Sequence, residues 1–116
     1  MALILSVSYD SDLLLTRQLL LEAQGYKVIS ALGIAAAMKQ CQSGTKFDLF
    51  ILGHSIPRED KAALVSEFHA RCVGPIVALQ GYDEEPIEGA DFVIEPEPEK
   101  LLAVVKRVLS GNAASA

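Results

Sequence analysis

At 116 residues, 51% hydrophobic, with a net charge of -5, the chain can bury one proper core without disulfides or metal and is too short for two domains. Its 10 Lys and Arg residues are scattered, with none of the basic striping that a nucleic-acid surface needs, so nucleic acid is excluded as a direct partner. No apolar run approaches bilayer-spanning length, and the opening Met1 to Val7 has neither a basic lead-in nor a signal-length apolar core; a cytoplasmic protein without membrane contact is predicted.

Short apolar runs alternate with helical patterns along the chain, which predicts a parallel sheet covered on both faces. The first strand is Leu3 to Val7. Ser11 can cap a helix with Leu13, Thr16, Leu20 and Ala23 on one stripe, stopping at Gly25. Lys27 to Ser30 forms the second strand. A second helix starts near Gly33, carries Ile34, Ala37, Met38 and Cys41 at helical spacing, and breaks at Ser43-Gly44. Asp48 to Leu52 is the third strand, and a helix from about Arg58 to Arg71 places Ala62, Leu64, Val65, Phe68 and His69 inward. Pro75 to Leu79 and Phe92 to Ile94 are the last strands. A final helix opens at Pro98, with Leu101, Leu102, Val105 and Leu109 along it.

Between the fourth and fifth strands lie only Gly81 to Glu88, interrupted by Pro86, so a regular helix there is shortened or missing. Right-handed crossovers arrange the strands in the order 2-1-3-4-5, an α/β three-layer sandwich of flavodoxin-like type. The expected domain is 1-110. Residues 111-116 are small, without periodicity, and read as a disordered tail or linker start.

Cys41 and Cys72 lie far apart, without CxxC spacing or a neighbouring His pattern, which predicts two half-buried thiols in a reducing cytosol and neither a zinc site nor a disulfide. His54 has no carboxylate or second histidine nearby to make it a phosphoacceptor or metal ligand, and reads as a loop histidine bonded to backbone. His69 reads as structural. The Glu95-Pro96-Glu97-Pro98-Glu99 run reads as a solvated loop complementing the helix that follows.

In order, Ile4 to Leu13, Gly25 to Val28, Asp48 to Pro57, Pro75 to Leu79 and Gly89 to Pro96 resemble the blocks of response-regulator receiver domains, from residue 3 to about 110. The resemblance implies a two-component, phosphorelay lineage and five functional positions at the strand ends. In the family an acidic pair after the first strand helps bind Mg²⁺, an aspartate ending the third accepts phosphate, a hydroxyl residue ends the fourth, and a lysine precedes a proline after the fifth. Oxygen ligands suit a hard cation, and metal and lysine offset phosphoryl charge.

Here those positions are Ser8 and Tyr9, Gly53, Gln80 and Glu95. None retains the family's chemistry, and a carboxylate at Glu95 repels phosphate. Asp10 and Asp12 read as helix-starting acids. The expectation is a pseudo-receiver that is not an enzyme, uses no metal or cofactor, and works by phosphorylation-independent protein contact. Its partners would be a histidine kinase, an output protein, or a second copy in a homodimer. Phe92 takes the position of the family's switch aromatic and reads here as half-buried packing. Leu14 and Leu15 widen the apolar stripe of the first helix into a candidate partner surface. A cis peptide, common in the family at this place, is expected at Glu95-Pro96. The alternative function is a flavodoxin-like small-ligand binder whose strand-end crevice offers neutral hydrogen bonds from Ser8, Tyr9, Gly53, Ser55 and Gln80, though no glycine-rich phosphate loop follows the first strand.

Overall fold

The computed structural model describes residues 2–72, 74–81 and 83–115, with side chains to residue 110. Five strands, β1 (Leu3–Ser8), β2 (Lys27–Leu32), β3 (Leu49–Leu52), β4 (Ile76–Leu79) and β5 (Phe92–Ile94), form one sheet in the order β2-β1-β3-β4-β5. All pairs are parallel, with Leu5 opposite Ile29 and Phe50, and Val77 opposite Phe92. The crossovers are α1 (Ser11–Glu22), α2 (Ile34–Gln42) and α3 (Arg58–Arg71), and α4 (Pro98–Ser115) follows β5. Among the described residues no helix separates β4 from β5, as the short Pro86-containing segment predicts.

Residue alternation along the buried strands sorts the core onto two faces. Leu5, Val7, Phe50, Leu52 and Ile76 meet α2 and α3 through Ala37, Leu64, Val65 and Phe68. The rings of Phe50 and Phe68 stack at 4.4 Å. On the other face Ile4, Leu49, Ile51, Val77 and Leu79 meet α1 and α4 through Leu21, Leu101 and Val105. Each large side chain buried this way stabilises the fold by about 1.5–3 kcal/mol before entropy is counted, which is what holds so short a chain together.

The inward face of α1 differs from the one its leucines suggest, and that of α3 keeps Leu64, Val65 and Phe68 but adds Lys61. In α1 the buried positions are Leu14, Arg17 and Leu21, spaced by three and four residues; Leu13 is exposed and Leu20 half-buried. In α3 they are Lys61, Leu64, Val65 and Phe68, with Ala62 and His69 exposed. Each buried stripe contains a cation, which apolar periodicity counts as solvent-facing. His69 still has a structural role, its Nε2 lying 2.7 Å from the Gly89 carbonyl.

The α1 cap is Asp10 and not Ser11: its carboxylate accepts from the N–H groups of Asp12 and Leu13 at 2.9 and 3.1 Å, a short acidic side chain serving the helix's orphan donors. At the other end of the chain the α4 backbone continues through Gly111 to Ser115, where the sequence suggests a tail; Ala116 lies outside the described residues. Five small residues do not stop a helix already propagating from a packed start, because adding a turn is cheaper than nucleating one.

The peptide bonds of the described residues are all trans, Glu95–Pro96 included. Trans is the lower-energy isomer by default, and the chain turns here instead through a bond from the Glu97 N–H to the Glu95 carbonyl at 2.8 Å. Cys41 and Cys72 are also not separate thiols. The ends of α2 and α3 bring their Cα atoms to 6.3 Å and the sulfurs form a disulfide, a pairing across 31 residues that spacing in sequence does not reveal.

Candidate functional site

The C-terminal ends of the strands, where open parallel sheets carry their sites, gather Ser8, Tyr9, Gly53 and Gln80, with Glu95 just beyond β5. Their polar groups are committed to one another and to nearby loops. Ser8 Oγ and Ser55 Oγ share a 3.0 Å hydrogen bond, and Ser55 Oγ accepts from the Tyr9 N–H at 3.1 Å. The Tyr9 hydroxyl donates to the Asp60 carboxylate on α3. Burial first, and then that carboxylate, push the phenol up to about 12.

Gln80 is buried and clamps the segment that replaces a helix. Its Oε1 accepts from the Ile87 N–H at 2.9 Å while Nε2 donates to the Glu85 carbonyl at 3.0 Å. Glu95 pairs with Lys100 in the first turn of α4 at 3.2 Å. Its own backbone N–H, and then Lys100, hold its carboxyl below the usual range.

Gly53 is buried, its N–H donating to the Val7 carbonyl at 2.9 Å. A Cβ at this position would stand 3.0 Å from that carbonyl and 3.1 Å from Nη2 of Arg17. Arg17 reaches in from α1, 7% exposed, with Nη1 donating to Ser6 Oγ at 3.1 Å and to the Val7 carbonyl at 3.3 Å. Burial pulls the guanidinium down to about 10, so it keeps its charge at neutral pH. Sequence reading missed this residue. The signal available was an arginine three residues after Leu14 and four before Leu21, inside an otherwise apolar stripe.

A second buried cation approaches from α3. Lys61 is 1% exposed and its Nζ donates to the Leu79 carbonyl at 3.1 Å; burial lowers its pKa, partly opposed by Glu84.

The residues do not fit the magnesium ion used by receiver domains. That ion asks for carboxylate and carbonyl oxygens in octahedral array. Ser8 and Tyr9 have spent their hydroxyls, Asp10 uses its carboxylate as a helix cap, and a guanidinium stands beside Gly53. Among the described residues no group of three or more His, Cys, Asp or Glu side chains is placed to hold a metal.

The two leucines of the candidate partner surface differ in exposure. Leu15 is 55% exposed, but Leu14 is 6% exposed and belongs to the core; Leu19 and Leu32 are the other well-exposed leucines, at 58% and 53%. Phe92 is half-buried, packed on the face shared by α1 and α4. His54 is exposed and makes no hydrogen bond to a described residue; with Arg17 it lines a recess between α1 and the start of α4. No helix among the described residues is long and apolar enough to cross a membrane.

No family model and no curated protein matches the sequence. Solved structures do. A two-component response regulator from Clostridium difficile superposes with a TM-score of 0.81 at 26% identity, over 95% of this chain and 97% of that one. The response regulator TrrA from Thermotoga maritima, in complex with Mg²⁺-BeF, gives 0.81 at 22% identity over 93% and 99% of the two chains. TrrA in complex with the histidine kinase ThkA gives 0.79 at 23% over 94% and 99%.

Proposed function

We propose that the chain, whose fold is that of response-regulator receiver domains, is a pseudo-receiver: a regulatory module that works through protein contact and carries out no phosphotransfer. One observation carries this reading. The room an acceptor side chain would need on Gly53 borders the buried Arg17 guanidinium, while the neighbouring hydroxyls are already bonded within the fold. On this reading Gly53, Gln80 and Glu95 stand where the family has its acceptor, hydroxyl and lysine, and the module acts as neither an enzyme nor a cofactor carrier.

Its partners are proteins of two-component signalling, a histidine kinase or an output protein. The capture of TrrA by a histidine kinase supports that class, as do the leucines left uncovered on α1 and at the end of β2. A second copy of the chain is the other partner to test. Cytoplasmic placement goes with such partners.

The small-ligand reading of the strand-end crevice is weaker, because the groups it relies on, Ser8, Ser55, Tyr9 and Gln80, satisfy one another or the adjoining loop. Incubation with acetyl phosphate and Mg²⁺, read by intact mass, tests the main reading. The expected outcome is an unmodified protein; a labile phosphoryl adduct would overturn it.

A further inference from the structure

Between α1 and the first turn of α4 lies a recess of about 90 Å³, walled by Leu13, Leu20, Leu79, Pro96 and Leu101. Most of its accessible lining is apolar; Thr16, His54 and Glu97 also border it, and one of its charged residues is buried. Arg17 lines the same recess, more than nine-tenths buried, and its hydrogen-bond partners are neutral: one serine hydroxyl and one carbonyl, both served by Nη1. No ion pair among the described residues includes Arg17. A buried guanidinium is ordinarily matched by a carboxylate or phosphate, since a charge taken out of water is costly unless it is paired. Nε and Nη2 have donors to spare, and a planar fork of this kind suits a planar carboxylate.

We propose that this recess is a binding site for a short-chain organic carboxylate, its head group on Arg17 and its hydrocarbon part against Leu13, Leu20 and Leu101. The size agrees: about 90 Å³ of recess, open to solvent at its mouth, holds a carboxylate head group with a short chain lying along the leucines. The lining agrees too, because a bare inorganic anion would leave the leucine walls uncovered, and a neutral apolar molecule would leave the charge unanswered.

Two flanking features bear on an incoming anion. The start of α4, at Pro98, points the positive end of an 18-residue helix toward the recess. Glu97 is the carboxylate on the wall, and it is drawn to Lys100 at 2.9 Å, which offsets its charge at the mouth. His54, also at the mouth, adds a ring nitrogen that can donate. The site lies on the α1–α4 side of the sheet, apart from the hydroxyls of Ser8, Ser55 and Tyr9, and the inference does not depend on whether the protein is phosphorylated.

The experiment is a titration of ¹⁵N-labelled protein with butyrate, set beside butanamide and inorganic phosphate. Saturable shifts at the amides of Leu13, Arg17, His54 and Leu101 with butyrate, at least about tenfold weaker with the other two, are expected. Arg17→Met should weaken butyrate at least about tenfold, and Leu13→Trp, which plugs the mouth from an exposed position, should do the same without touching the charge. Equal responses to butyrate and butanamide would overturn the proposal, as would phosphate binding as well as butyrate, or no saturable response to butyrate. The comparison of probes on unmutated protein decides the question even where Arg17→Met does not fold.

Discussion

Nη2 of Arg17 lies 3.1 Å from where a Cβ on Gly53 would stand, and the Val7 carbonyl lies 3.0 Å from it. The missing side chain at residue 53 and the buried arginine at residue 17 are therefore one arrangement. Both distances are tighter than a relaxed contact, so Gly53→Ala must move the guanidinium, the β1 backbone, or both. Overpacking of this sort costs about 1–3 kcal/mol. Because the arginine is the more mobile obstacle, Arg17→Met should relieve part of the strain, giving a coupling of about 0.5–3 kcal/mol in the double-mutant cycle measured by urea unfolding. Strict additivity would show that the two residues do not share this space.

Restoring the acceptor alone should not restore the chemistry. Gly53→Asp would put a carboxylate beside Arg17, where it forms an ion pair, while Ser8 and Tyr9 still offer no metal ligands. Acetyl phosphate with Mg²⁺ should leave the variant's intact mass unchanged. A phosphoryl adduct on Gly53→Asp that is absent from the unmutated chain would show that one carboxylate suffices, and that the surrounding pocket is intact after all.

The two adjacent leucines of α1 should behave as opposites. Leu14 is 6% exposed and Leu15 55% exposed. A charge at the first position enters the core without a partner, so Leu14→Glu should cost at least about 3 kcal/mol, whereas Leu15→Glu should stay within about 0.5 kcal/mol. Thermal unfolding separates them. If the exposed leucines form the partner surface, Leu15→Glu with Leu19→Glu should also lower the apparent size at high concentration, or the capture of a cognate kinase, while leaving the unfolding midpoint near that of the parent.

What was readable in the sequence follows from what each residue type signals. Runs such as Leu49 to Leu52 and Ile76 to Leu79 are buried on both sides, so apolarity alone marks them as strands, and the crossover rule then orders the sheet. In α3 the inward Leu64, Val65 and Phe68 are legible, but Lys61 beside them and the Arg17 face of α1 are not, because periodicity gives a buried cation the sign of a surface one. Gly53, Gln80 and Glu95 could be placed by position, but their roles could not. That Gln80 clamps residues 84–87, and that Arg17 borders the space at Gly53, depends on side chains crossing between elements, for which sequence spacing carries no signal.

The Cys41–Cys72 disulfide joins the ends of α2 and α3 across 31 residues. Closing a loop of that length removes denatured-state entropy worth about 3–4 kcal/mol in the chain-entropy model. Reduction should therefore lower the unfolding midpoint markedly, and Cys41→Ser with Cys72→Ser should match the reduced protein and respond no further to reductant. Thiol titration of protein purified without reductant should find neither sulfur free. A reducing cytosol would open the bond, so trapping thiols in intact cells before lysis reports which form is present there. Equal midpoints with and without reductant would remove the stabilising role.

Tyr9 provides the pH signature of the strand-end cluster. The phenol ionises near 10.0 when unperturbed and near 12 in the fold. Between those values the folded protein keeps a proton that the unfolded chain has released, so the contribution is fully present below pH 10 and is lost as pH rises through 12. Lys61 and Arg17 act with the opposite sign, since burial lowers their pKa values and the fold gains as they lose charge. The comparison must therefore be between the parent and Tyr9→Phe, which shares both cations. The stability difference between them, about 1 kcal/mol at neutral pH for one hydrogen bond to a partly exposed carboxylate, should shrink across this alkaline window. The phenolate absorbance that Tyr9→Phe removes should rise late in an alkaline titration, and Asp60→Asn should bring it earlier. A difference between parent and Tyr9→Phe that stays constant over the window would mean that the hydroxyl's bond to Asp60 does not hold the proton.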